Sequence, residues 1–342
     1  MPHVTAQDQA AVAAVLRSGM IAEGEVVERF EQAVCEYLGM AGGVATSSGT
    51  TALFLALKAL AVGEGDEVII PSYVCRSVWD AVSATGAQPV LCDIGEDWCI
   101  NIHTIKPHIT SKTKAIVLVH IFGIVAEANS LLSLGIPLIE NCSQAFGARY
   151  KHKTAGTAGQ ICITSFHATK LLTTGEGGMA LTNDVTIVKK LKELKQGTPR
   201  SLTVRYLYPM TDLQAALGLS QLARYNDFLQ RRKEIADYYF AKLKGLPLML
   251  PHDIRDRSIF FRFPLRTKFN FEEVQASFAK QGIHIRHGVD TLLHRKCSMR
   301  AGDFPFTEQF FGETVCIPIY PALKDKDCEK IIASCHKVFA QQ

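Results

Sequence analysis

Apolar residues recur along this chain at two periods, and the alternation between them outlines a fold. Residues 5–17 carry Ala10, Val12, Ala13, Val15 and Leu16 at helical spacing, stopped by Ser18-Gly19. A second helix is expected from Val26 to Tyr37, ending before Gly39. The strand Val44-Ala45-Thr46 then runs through a small-residue turn into an Ala- and Leu-rich helix. From there strands at 67–71, 88–93, 114–119 and 137–140 alternate with helices at 77–83, 102–109 and 128–134. Strands that are apolar at nearly every position are covered on both faces, and the helices between them supply the crossovers of a parallel sheet. The fold class is therefore α/β, with a large, mainly parallel sheet covered by helices. Past Asn183 the pattern turns helical over 185–194, 212–223 and 227–243. A break at Gly245-Leu246-Pro247 precedes strands at 258–264, 283–286 and 314–318 and helices at 271–280 and 325–339. These predict a smaller C-terminal α/β domain, 236–342, after a large domain, 1–235, with the N-terminal helix able to pack on the smaller one.

At 342 residues the chain is long enough for this division, with ample core in each part. Hydrophobic residues at 47% and charged residues at 20% place it with globular rather than disordered proteins. A net charge of +4 gives no case for nucleic acid, and the largest basic cluster, Arg231-Arg232-Lys233, lies in a helical pattern. Ten cysteines are scattered without a C-x-x-C pair, so they read as reduced core residues rather than metal ligands. The N-terminus lacks a signal-peptide pattern and no apolar run could span a bilayer, so a cytoplasmic protein without a membrane partner is expected.

In sheets of this kind ligands sit beyond the carboxyl ends of the strands, and three such ends carry polar residues here. The first turn, Ser47-Ser48-Gly49-Thr50-Thr51, aims backbone N–H groups and hydroxyls at the positive end of a helix, a setting that suits a phosphate or a plain N-cap. The second is Glu140-Asn141-Cys142-Ser143-Gln144. The third is Ser165-Phe166-His167-Ala168-Thr169-Lys170, where a strand ends and a Gly- and Thr-rich stretch forbids a helix, leaving Lys170 on a loop. A lysine held there among Phe166, Leu171 and Leu172 is partly desolvated, which lowers its pKa and frees its amine to attack a carbonyl. A surface lysine beside a Gly-rich turn fits the same run. Neither G-x-G-x-x-G nor G-x-x-x-x-G-K-[ST] occurs at the first strand-to-helix turn, which disfavours a dehydrogenase and a P-loop enzyme.

Taken together, these runs resemble the DegT/StrS family of pyridoxal-phosphate sugar aminotransferases. The family pattern is an apolar strand, Glu-Asp, two small residues, Gln and Ala, then Ser-Phe-x-x-x-Lys and Gly-Glu-Gly-Gly; Ser48-Gly49-Thr50 matches its phosphate turn, and the likeness extends over nearly the whole sequence. The resemblance implies a fold-type I protein with a seven-stranded-type sheet, homodimeric through the region of Gln214 to Leu222. It implies Lys170 as the Schiff-base lysine, Ser165, Gly49 and Thr50 as phosphate ligands, and Gln144 as partner of the cofactor's phenolic oxygen. The substrates implied are an amino-acid donor, glutamate, and a nucleotide-linked keto-sugar, in polysaccharide or deoxyamino-sugar biosynthesis.

The pattern breaks in several places. Asn141 stands where the family has the carboxylate that pairs with the pyridine nitrogen. Opposite charges about 3 Å apart at an effective dielectric near 20 attract by roughly 5 kcal/mol, and an amide supplies none of that; it can donate a hydrogen bond to a neutral ring instead. Cys75 stands where an aromatic residue usually stacks on the ring, with Tyr73 nearby; Leu207 and Pro209 replace an Asn-x-Arg whose Asn reaches the partner's phosphate; Gly288-Val289 replaces a His-Tyr. Two other outcomes therefore stay open: a catalytically weak relative kept as a ligand-binding or regulatory protein, and a different reaction on the same cofactor. His120 and His167 are candidates for cofactor or substrate contact or for structural roles, and Arg149 to Lys153 for a diphosphate grip or a solvated loop.

Overall fold

A computed structural model of the chain describes residues 3–197 and 204–340. In chain order the helices are α1 (Ala6–Ser18), α2 (Glu25–Leu38), α3 (Gly49–Ala59), α4 (Arg76–Ser83), α5 (Ile102–Ile105), α6 (Asn129–Leu132), α7 (Val185–Gln196), α8 (Asp212–Ala223), α9 (Tyr225–Lys242), α10 (Phe271–Ala279), α11 (Leu293–Lys296), α12 (Pro305–Glu313) and α13 (Asp325–Phe339). The strands are β1 (Gly42–Thr46), β2 (Glu67–Pro71), β3 (Gln88–Cys92), β4 (Thr113–Val119), β5 (Leu138–Asn141), a hairpin of β6 (Arg149–Tyr150) and β7 (Lys153–Thr154), then β8 (Ile161–Ser165), β9 (Gly178–Thr182), β10 (Phe263–Arg266) and β11 (Thr314–Ile317).

Seven strands form one sheet in the order β1-β9-β8-β5-β4-β2-β3. Pairing is parallel from β8 through β5 and β4 to β2 and β3, while β9 runs antiparallel to both β8 and β1. The strand β9 was not read from the pattern: it is a five-residue element, Gly178–Thr182, that opens on Gly177-Gly178 directly after a Gly- and Thr-rich stretch, so its start looks like more of that loop. The residues 283–286 differ in the other direction. Ile283 and Ile285 are buried, which gave the alternation of a strand, but only Arg286 bridges to Cys316, so the segment stays a loop. Likewise the pairing foreseen over 258–264 begins only at Phe263, because the residues before it bend over the end of the large sheet.

One core lies between the sheet and α3, α4 and their neighbours; a second, on the other face, gathers Val27, Phe30, Val34, Phe146, Phe166 and Tyr225. A third is built from α9, α10, α13 and the β10–β11 pair. The N-terminal helix is not part of that third core: it lies against α8, where buried Asp8 accepts from Ser220, Gln221 and Arg224. A second buried carboxylate, Asp212, caps the start of α2 by accepting from the Gly24 and Val27 N–H groups. Asp8 thus ties α1 to α8 and Asp212 ties α2 to α8, while Phe30 of α2 packs edge-on against Phe166.

Candidate active site

The three strand ends singled out by sequence converge. Ser48 caps α3 by accepting the Thr51 N–H at 3.1 Å, and its carbonyl takes that of Ala52. This leaves the Gly49 and Thr50 N–H groups at the helix start with no partner among the described residues, as helix geometry requires. The turn is pressed against its neighbours so closely that no side chains fit. A Cβ on Gly49 would lie 2.6 Å from Ser165 Cβ, and one on Gly178 would lie 2.4 Å from the Ser48 carbonyl. The two glycines thus bring the donors of α3 and the Ser165 hydroxyl to one spot, forming a cradle that any other residue would fill.

Ser165 ends β8, and the loop after it is cinched by bonds from Phe166 N–H to the Gly177 carbonyl, Thr174 N–H to the Phe166 carbonyl and Lys170 N–H to the His167 carbonyl. Lys170 shares one cavity with Ser143, Gln144, Ser165, Phe166 and Phe261. Its ammonium position lies 5.3 Å from the centroid of the Phe261 ring. Burial pulls the Lys170 pKa below its ordinary value, with the Arg262 guanidinium adding to the shift and Cys75 opposing it. Cys75 itself is exposed at the start of α4.

Asn141 and Gln144 are both half committed. Asn141, 6% exposed at the end of β5, accepts the Ser143 N–H on Oδ1 at 3.0 Å, so its amide NH2 is the end left to offer. Gln144 accepts the Phe122 N–H on Oε1 at 2.8 Å, which again leaves the NH2. Next to Asn141, Glu140 points the opposite way and accepts from His120 Nε2, Gly156, Ala158 and Gly159.

The minor candidates resolve by their partners. His120 is wholly buried between Glu140 and the Ala126 N–H, so it holds β4 to β5 rather than facing a ligand. His167 is half exposed, bonded to Thr169 and 3.5 Å from Glu176. Arg149 to Lys153 is the β6–β7 hairpin, with Lys153 bonded to Asn129 and Lys151 lying over Tyr150. Tyr73 does not reach the cavity. It is buried against Phe122, and a Cβ on Gly288 would lie 2.1 Å from its hydroxyl, so the glycine that replaces the family's larger residue makes room for this ring. His294 is also buried, bridging Ser72 and Glu308. Leu207 and Pro209 are exposed, and Ser47 donates to the Tyr208 carbonyl between them.

Phe261 carries no local signal in the sequence. It enters the site because Arg232, buried on α9, donates to the carbonyls of Phe260 and Phe261 and fixes that ring beside Lys170. Burial pushes the Arg232 pKa down to about 10. All ten cysteines are free, and among the described residues no cluster could hold a metal ion and no helix is long and apolar enough to cross a membrane.

The model of the DegT/DnrJ/EryC1/StrS aminotransferase family matches residues 2–336. The chain is 32% identical to the GDP-perosamine synthase of Escherichia coli O157:H7, across 98% of this chain and 96% of that protein. It is 31% identical to the spore coat polysaccharide biosynthesis protein SpsC of Bacillus subtilis (strain 168), across 97% and 94%. Spr1654 of Streptococcus pneumoniae, solved in a PLP form, superposes with a TM-score of 0.92 at 28% identity, covering 99% of this chain and 97% of that one.

Proposed function

The chain belongs to the DegT/DnrJ/EryC1/StrS aminotransferase family, and from that premise we propose that it binds pyridoxal phosphate through Lys170 and moves an amino group from glutamate to a nucleotide-linked keto-sugar. The observation that carries this reading is the desolvated Lys170 beside a helix-start cradle with two free N–H groups and a hydroxyl. The donor set fits the cofactor: Gly49 and Thr50 N–H and Ser165 Oγ for its phosphate, the Gln144 NH2 for its phenolic oxygen, and the Asn141 NH2 for its ring nitrogen. When bound, pyridoxal phosphate supplies the carbonyl that takes up the amino group and the ring that accepts electron density as the α-proton leaves.

Lys170 does two things here. Its lowered pKa keeps the amine available as a nucleophile, and the same amine takes and returns the proton at Nζ during transfer. Phe166 and Phe261 form the apolar part of the wall beside the amine. The Asn141 NH2 has no partner among the described residues while its oxygen accepts the Ser143 N–H, so it offers a donor to an unprotonated ring nitrogen and gives no charge pair. The weak-relative reading rests on this residue together with the loss of polar groups at Leu207 and Pro209.

We further read the chain as a cytoplasmic homodimer divided near residue 235. Support for the dimer comes from exposed Met20, Ile21 and Leu207, on segments joined by the Asp212 N–H to Ala22 carbonyl bond. The function is tested by borohydride reduction of the protein saturated with pyridoxal phosphate, followed by peptide mass analysis. A pyridoxyl mass on Lys170, with glutamate converting unreduced protein to its pyridoxamine phosphate form, is expected. An unmodified Lys170 would sink the reading.

A further inference from the structure

A cation without an anion lies in the middle of α9. Arg232 is 5% exposed, no carboxylate pairs with it among the described residues, and its Nε finds no acceptor there. A guanidinium taken out of water in this way costs free energy that an ion pair would normally offset. What it holds instead is backbone: Nη1 donates to the carbonyls of Phe260 and Phe261. Phe260 has a φ of 50°, in the left-handed region that a phenylalanine keeps only where its surroundings over-determine it. Here they do so. The Phe260 N–H goes to Ser258 Oγ at 2.9 Å, the Phe261 N–H goes to the Phe122 carbonyl at 2.9 Å, and Arg232 takes both remaining carbonyls. The turn depends on Arg232 for two of these four bonds. The side chain that leaves it is Phe261, whose ring centroid stands 5.3 Å from Lys170 Nζ in the cavity the two residues share.

We propose that Arg232 is a positioning residue for Lys170: by fixing the left-handed turn at Phe260 it holds the Phe261 ring beside the amine, and so sets how readily Lys170 attacks a carbonyl. The inference rests on the reading of Lys170 as the Schiff-base lysine. Burial is the main reason the amine is held below its ordinary pKa, and Phe261 supplies part of the apolar wall that buries it. With the carbonyls of residues 260 and 261 released, Phe260 returns to negative φ, the ring leaves the amine and water reaches it. The ammonium is then better solvated, so less free amine is present at neutral pH. The other groups that bear on Lys170 are Cys75 at the start of α4, Arg262, and the Tyr225 phenol in the cavity wall, whose hydroxyl is committed to the Phe146 carbonyl. Arg262 follows Phe261 and its charge works in the same direction as the wall, so the test must separate the ring from the charges.

The test uses the full-length protein freed of cofactor, as wild type, Arg232→Met, Arg232→Lys, Phe261→Ala and the double variant of Arg232→Met with Phe261→Ala. Each is mixed with pyridoxal phosphate across a pH series, and the bond to Lys170 is trapped with borohydride at timed intervals and counted by peptide mass. Arg232→Met and Phe261→Ala are each expected to label Lys170 about 5- to 10-fold more slowly at neutral pH and to reach the wild-type rate in alkali, where the amine is free in all of them. Arg232→Lys keeps the charge and a donor for one carbonyl, so it should fall between. The double variant should be no slower than Phe261→Ala, because both changes act through the same ring. A wild-type pH profile in either Arg232→Met or Phe261→Ala would overturn the proposal and leave the function standing. So would slowing by one factor at every pH, which is what a general loosening of the fold gives. Further slowing in the double variant would overturn it in favour of a direct effect of the Arg232 charge on Lys170. Should Arg232→Met not fold, Phe261→Ala and Arg232→Lys decide: a wild-type pH profile in either would overturn the assignment. Failure to label Lys170 in wild type would remove the function, and this assignment with it.

Discussion

Replacing Glu140 by Gln removes one charge and changes no shape, and it is expected to destabilise the protein by about 3–5 kcal/mol, the cost of breaking a buried pair from one side. Glu140 is 2% exposed, and its carboxylate receives four donors: His120 Nε2 at 2.9 Å and Gly156 N–H at 3.0 Å on one oxygen, Ala158 N–H at 2.8 Å and Gly159 N–H at 2.6 Å on the other. A glutamine keeps one oxygen, so either orientation turns an NH2 toward two of these donors. Shifting the His120 proton cannot rescue the pair facing it, because Nδ1 already accepts the Ala126 N–H at 3.0 Å. Each lost bond to a charged acceptor is worth about 1.5–3 kcal/mol. Two such losses reach the stated range, which lowers Tm by roughly 2 °C per kcal/mol in a chain of this size.

The same residue sets a pH dependence. Burial alone would raise the Glu140 pKa, but the His120 hydrogen bond and charge and the Gly159 and Gly156 N–H groups overcome it, so the folded value lies below the ordinary 4.5. A depressed carboxyl pKa contributes stability that is present above the unfolded value and is lost as pH falls through the folded one. Urea unfolding of wild type and Glu140→Gln should therefore differ by a constant amount at neutral pH and converge as pH drops below about 4.5. A variant within about 1 kcal/mol of wild type, or a gap that does not narrow in acid, would refute the reasoning.

Two further substitutions probe the cradle. Asn141→Asp keeps an acceptor for the Ser143 N–H and adds a negative charge where the cofactor nitrogen is expected; single-turnover conversion by glutamate should quicken about tenfold, a gain of about 1.4 kcal/mol in the transition state, and a slower variant would show that the amide belongs to the chemistry. Gly178→Ala would set a methyl 2.4 Å from the Ser48 carbonyl and 2.5 Å from the Gly49 nitrogen, both backbone atoms that cannot yield without moving the helix start. It should cost about 1–3 kcal/mol in urea unfolding and weaken pyridoxal phosphate binding in a spectroscopic titration; unchanged affinity would mean the cradle does not hold the phosphate.

The sequence by itself determined the elements that bury their own apolar faces and the short runs that carry chemistry. Apolar strands between helical periods gave the parallel sheet, and Ser48 to Thr50, Asn141 to Gln144 and Ser165 to Lys170 were found because each lies in a continuous stretch at a strand end. Such signals are local, since a side chain's spacing along its own helix or strand records which face is covered. Only the tertiary structure decided that β9 inserts between β1 and β8 and runs antiparallel to both, because strand order and direction are set by contacts between segments remote in the chain. It also decided that His120 is spent on Glu140, that Tyr73 is spent on the gap at Gly288, and that Phe261 closes on Lys170. Those contacts join residues remote in sequence, held by groups such as Arg232 whose partners are backbone carbonyls, and a carbonyl is the same in every residue and leaves no mark in the sequence.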